Sequence, residues 1–83
     1  METLGNLVDK LTVVNLKIWH LEEIAHDQNA SDSEVATAKR KIDVLNLQRH
    51  ALIEEFDTLL QEVLSGKKKV PVFYEVKDYK KGK

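Results

Sequence analysis

Residues 27–34 read "DQNASDSE", from Asp27 to Glu34. The stretch is polar and turn-forming, with Ala30 its one apolar residue. Ser31 and Glu34 have the spacing of a capping box. The Ser hydroxyl accepts from the Glu34 backbone N–H, and the Glu34 carboxylate reaches back to the Ser31 backbone N–H. A helix therefore starts near Asp32, and the fold depends on what lies on either side of this turn.

Upstream, Leu4, Leu7, Leu11, Val14, Ile18, Leu21 and Ala25 alternate spacings of three and four. This is an unbroken heptad stripe, the pattern of a helix lying along another helix. Thr3 can cap its start. Gly5, in the first turn, costs about 1 kcal/mol relative to Ala, and close backbone approach is the one reason the sequence offers for it. Downstream, a second stripe runs through Val35, Ala38, Ile42, Leu45, Arg49, Leu52, Phe56, Leu59 and Val63. Gly66 after Ser65 suits the residue that stops a helix.

Two long amphipathic helices joined by a short turn must fold back antiparallel. With the turn centred near Asn29 and Ala30, residues whose numbers sum to about 60 lie level, because both helices rise equally per residue. Leu11 then faces Arg49, and Ile18 faces Ile42. The expected fold is all-α: a helical hairpin over residues 1–65, with helices at about 4–27 and 32–65, followed by a basic arm over residues 66–83. In the arm, Val70, Val72, Phe73, Tyr74 and Val76 favour a short edge strand or an extended segment, while Pro71 has no N–H to donate. The final "KKGK" is expected to be disordered.

Composition supports this reading. The 83 residues contain three glycines, one proline and no cysteine, and 33% are charged. Few breakers and many charges suit long helices. A domain of this size is marginal alone, and without cysteine it has neither a disulfide nor a thiolate metal site to hold it together. Three scattered histidines argue against a structural metal. Oligomerisation is the remaining support. No segment reads as a signal peptide or approaches the ~20 apolar residues of a membrane span. A cytoplasmic protein without membrane attachment is expected.

One stripe per helix suffices for a hairpin, yet this chain carries more. Val13, Leu16 and Trp19 lie off the first stripe; Val44, Leu47 and Ala51 lie off the second, at matching heights. Ile53 and Leu60 widen the second stripe itself. Two helices cannot cover both faces, and a surplus apolar face marks an association surface. The expectation is a homodimer of hairpins forming a four-helix bundle about a two-fold axis. A higher oligomer or an unknown protein partner is the alternative.

Polar residues at unusual positions come next. Arg49 interrupts the second stripe, where it can extend to solvent, meet a carboxylate or fix register. Asn15 and Asn46 flank the seam at similar heights, placed to hydrogen-bond across the hairpin or, with Arg49, to bind a ligand. Asp9, His20 and Glu23 share one side of the first helix. Carboxylate and imidazole can form an acid–base pair or half a metal site. Bundle metal sites place Glu-x-x-His on facing helices; here the order is reversed, and His50 with Glu54 sit at another height. His26 and Asp27 lie at a helix end, where the dipole favours histidine. Neither a metal, a cofactor nor an enzymatic centre is expected. There is no phosphate loop, nucleophile elbow or DNA-reading motif.

Charge is divided along the chain. Residues 1–65 carry six Lys and Arg against twelve Asp and Glu, a net −6; residues 66–83 carry seven against two, a net +5. Lys67, Lys68, Lys69, Lys77, Lys80 and Lys81 with interleaved aromatics have the composition of a single-stranded nucleic-acid contact. The arm has no arginine and the body is acidic, which disfavours phosphate. Lysines also keep an edge strand from aggregating, and the arm can instead fold back onto its own acidic bundle.

The segments "LGNLVDKLTVVNLKIWHLEE" and "KRKIDVLNLQRHALIEEFDTLL" resemble an uncharacterised family of small helical proteins and domains in bacteria and their phages. Its pattern is a G-x-L-V-D-K-L-T-V-V-N-L-K-like opening and an L-N-x-Q-R-like run. Gly5, Asp9, Lys10, Asn15, Lys17 and His20 match the first; Asn46, Gln48 and Arg49 match the second. The resemblance spans about residues 4–60 and carries no activity. It implies that Asp9, Asn15, Lys17, Asn46 and Arg49 form a recurring polar set. The function expected is that of a non-enzymatic interaction or assembly protein. Its mechanism is burial of the apolar faces around Leu16 and Trp19. A polyanion-binding accessory using the lysine arm is the alternative, and a small bundle metal site or enzyme around His20 and Glu23 ranks third.

Overall fold

The computed structural model describes residues 2–72. Two helices, α1 (Leu4–Ala25) and α2 (Asp32–Leu64), pack against each other as a hairpin. The chain is all-α over the described residues, as the two heptad stripes require.

Each helix boundary has a local cause. The Thr3 hydroxyl accepts from the Asn6 backbone N–H at 2.9 Å and starts α1. Thr3 is itself buried, so this bond also satisfies a polar atom that water does not reach. α1 ends at Ala25, two residues before the expected Asp27. His26 caps it, its backbone N–H donating to the Glu22 carbonyl at 3.0 Å and its ring Nδ1 lying 2.8 Å from the same oxygen. In the turn, the Asn29 N–H donates to the Asp27 carboxylate at 2.9 Å, which tightens the reversal. The capping box forms in both directions: Glu34 N–H to Ser31 Oγ at 3.1 Å, and Ser31 N–H to Glu34 Oε1 at 2.8 Å. The bond from the Ser31 backbone, and then that from its hydroxyl, hold the Glu34 carboxyl below its usual 4.5.

α2 ends in a Schellman motif. The Gly66 N–H donates to the Val63 carbonyl at 3.1 Å, and the Lys67 N–H to the Glu62 carbonyl at 2.9 Å. Gly66 has φ +81, in the left-handed region that favours glycine.

The seam follows the heptads. Leu7, Val14, Ala38, Ile42 and Leu59 are buried, and every other stripe position is half-buried. Ile53 and Leu60, which widen the stripe, are half-buried too. Gly5 differs from expectation. Among the described residues a Cβ at this position would meet only Thr3 Oγ1, at 4.0 Å, so no close backbone approach among them requires glycine.

After Gly66 the chain turns back. Lys68 Nζ lies 3.4 Å from a Glu62 carboxylate oxygen. Residues 68–72 line a cavity of about 400 Å³ together with Leu59 and Glu2. No strand forms among residues 66–72. The expected strand formers Phe73, Tyr74 and Val76, and Lys77, Lys80 and Lys81, lie outside the described residues.

Candidate interaction surface

The six off-seam residues share one property: Val13, Leu16, Trp19, Val44, Leu47 and Ala51 are all exposed. Leu16 is 61% exposed, Trp19 63% and Leu47 72%, although stripe residues one turn away are not. These values separate two populations of apolar side chain on the same helices. One forms the hairpin seam, and the other is left facing out.

The exposed set does not form one patch. Val13 and Ala51 line a groove of about 420 Å³ with Asp9, Lys10, Val14, Gln48 and Leu52. Val44 lines a groove of about 590 Å³ nearer the turn, beside Leu21 and Leu45. Both grooves have α1 on one wall and α2 on the other, so they follow the hairpin's length. Leu16, Trp19 and Leu47 line neither. At 100° per residue, Leu16 and Leu47 point away from their seams and border the grooved face, while Trp19 is rotated further from it than Leu16.

Of the charged residues along the grooves, the sequence singles out Lys17 and His20 but not Arg40, Lys41 or Glu55. Lys17, His20, Arg40 and Lys41 line the groove nearer the turn, which has no carboxylate in its lining. Toward the open end, a recess of about 660 Å³ is lined by Glu2, Glu54, Glu55 and Glu62, with Lys68 the one cation. The runs "KRK" at 39–41 and "EE" at 54–55 were the available signal. A linear reading does not show that they border the same face.

The expected polar pairs are placed as follows. Asn15 is exposed and Asn46 and Arg49 are half-buried. Among the described residues, no hydrogen bond joins Asn15 to Asn46, and Arg49 takes part in no ion pair. Asp9 lies on the middle groove and Lys17 on the groove nearer the turn. His20 Nδ1 is 3.7 Å from Glu23 Oε1, with both side chains more than half exposed. A contact so open to water is a weak ion pair. Among the described residues no cluster of three or more His, Asp or Glu is arranged for a metal.

At the open end, Glu2 accepts from Lys10 and from Asn6, tying the start of the chain to α1. The Lys10 bond holds the Glu2 carboxyl below its usual range, and the same bond raises the Lys10 ammonium. Lys67 and Lys69 are exposed, while Lys68 is engaged with Glu62. No helix among the described residues is long and apolar enough to cross a membrane.

Comparison with curated proteins and with solved structures finds no match to the chain. A family does match, over residues 1–72, the same stretch that holds both helices, the Schellman cap and the returning arm. The chain belongs to the family described as "Protein of unknown function (DUF4254)".

Proposed function

We propose that the protein is a non-enzymatic assembly module that acts as a homodimer of hairpins, the two copies forming a four-helix bundle. One observation carries this reading: Val13, Leu16, Val44 and Leu47 are exposed at matching heights on two helices whose seam is already filled. Covering large apolar side chains on association is worth roughly 25 cal/mol for each Å² removed from water. A chain this short gains from a partner the burial that its own seam cannot supply. Trp19 is exposed but rotated past Leu16, away from this face.

The test is a substitution at the centre of the exposed set. Val44→Asp places a charge where the partner would pack, without touching the seam. Light scattering is expected to show the wild-type chain as a dimer and the variant as a monomer that keeps its helical circular dichroism. A wild-type chain that is monomeric at all concentrations rejects the proposal.

The opening from Gly5 to Lys17 and the run Asn46, Gln48, Arg49 are proposed as the family's signature, carried by bacteria and their phages. Aligning family members over these positions tests it, and unrelated residues at Asp9, Asn15 and Arg49 would count against it.

A further inference from the structure

The grooved face carries charge of opposite sign at its two ends. Arg40 and Lys41 border the groove nearer the turn, while Glu54 and Glu55 border the recess toward the open end. Among the described residues none of these four is in an ion pair, although Lys10 lies close enough to Glu55 to feel its charge.

Their spacing is regular. Arg40 and Glu55 are equally far along α2 from a point between Leu47 and Gln48. So are Lys41 and Glu54, and so are the apolar pair Val44 and Ala51. α1 has the same arrangement. His20 and Asp9 are equally far from a point between Val14 and Asn15, and so are Leu16 and Val13. The two points are level in the hairpin, because Val13 and Val14 share a groove with Gln48. A two-fold axis lying across the grooved face, level with both points and perpendicular to the helices, sets each residue of one copy over its counterpart in the second. In such an isologous contact, residue i meets residue j and residue j meets residue i.

We infer that the occupant of this face is a second copy of the chain, docked antiparallel, so that the turn end of one hairpin lies over the open end of the other. Arg40 and Lys41 of one copy then face Glu55 and Glu54 of the second, twice over. Val44 covers Ala51, and His20 lies opposite Asp9. The parallel alternative, with the axis along the helices, sets cation against cation at one end and carboxylate against carboxylate at the other. Like-charge juxtaposition disfavours it. This inference rests on the homodimer proposed above and adds its orientation.

The chain has no cysteine, so introduced cysteines report without background. The exposed positions Arg40→Cys and Glu55→Cys are made separately in the full chain and oxidised alone and mixed, with light scattering of the wild type alongside. The expected result is a wild-type dimer, a disulfide-linked species in the mixture, and little linkage in either variant alone. A second arm uses charge. Arg40→Glu with Lys41→Glu, and Glu54→Lys with Glu55→Lys, should each weaken self-association by about tenfold or more. Mixing these two charge variants should restore a dimer. A wild-type dimer in which Arg40→Cys links to itself and the mixture does not overturns the antiparallel orientation while leaving the homodimer standing. A monomeric wild type overturns both.

Discussion

Gly5 is the residue at which sequence and structure part most plainly. In the sequence, a glycine in the first turn of a helix suggests a backbone held close to something. In the structure it is exposed, and an added Cβ finds open space except for Thr3 Oγ1 at 4.0 Å. Its remaining effect is on the unfolded chain, whose freedom glycine increases. Gly5→Ala is therefore expected to stabilise the protein by up to about 1 kcal/mol, read as a higher midpoint in urea with an unchanged slope. A lower midpoint would mean that the glycine serves a contact outside the described residues. Gly66 is the opposite case: its positive φ was foreseeable from its place after Ser65, because a helix end needs a left-handed residue.

At the scale of the element, the helices were legible because their signals are local. The capping box lies within four residues, and the stripes repeat every three or four, so each could be read without knowing the fold. The box also predicts a pH effect. Glu34 has a lowered pKa in the folded chain because Ser31 donates to it. The stability it contributes is fully present above its usual 4.5 and is lost as the pH falls below that value through the lowered one. Glu34→Gln removes the carboxylate that the Ser31 backbone N–H meets, a loss felt near neutral pH, where the wild-type group is charged. The gap between wild type and variant is expected to narrow in acid. Thermal melts at a series of pH values check this, and a gap that stays constant into acid would contradict it. The arm was less legible. Val70 and Val72 have strand propensity, yet residues 68–72 lie beside Leu59 and Glu2 without pairing as a strand. No second strand exists among the described residues to receive them, and strand propensity expresses itself only against a neighbour.

For the whole molecule, the sequence indicated that apolar surface would be left over, but not how its surroundings are arranged. Leu16, Leu47 and Trp19 could be assigned to an outer face by counting alone. The opposed charges at Arg40, Lys41, Glu54 and Glu55 became informative only when both helices were set side by side. The exposed Asn15 and the absence of an Asn15–Asn46 bond arise at the same level. A side chain beside a seam bonds across it only if the local distance allows, and heptad counting does not give that distance. If the surplus face is covered by a second copy, folding and association are linked by mass action. The midpoint of thermal unfolding should then rise with protein concentration in the wild type and stay level in Val44→Asp. Melts over a hundredfold dilution series would show this, and a wild-type midpoint independent of concentration would refute it.

The cavity at the open end has a mechanical consequence. Glu2 and the segment from Lys68 to Val72 line it together, so both ends of the described chain leave the hairpin on the side away from the turn. A pulling force applied between those ends would not slide the helices past each other. It would peel them apart from the open end, loading the seam one turn at a time, with Leu7 and Leu59 giving way before Ile42. The protein would unzip at low force and close again from the capped turn at Ser31, which stays intact until last.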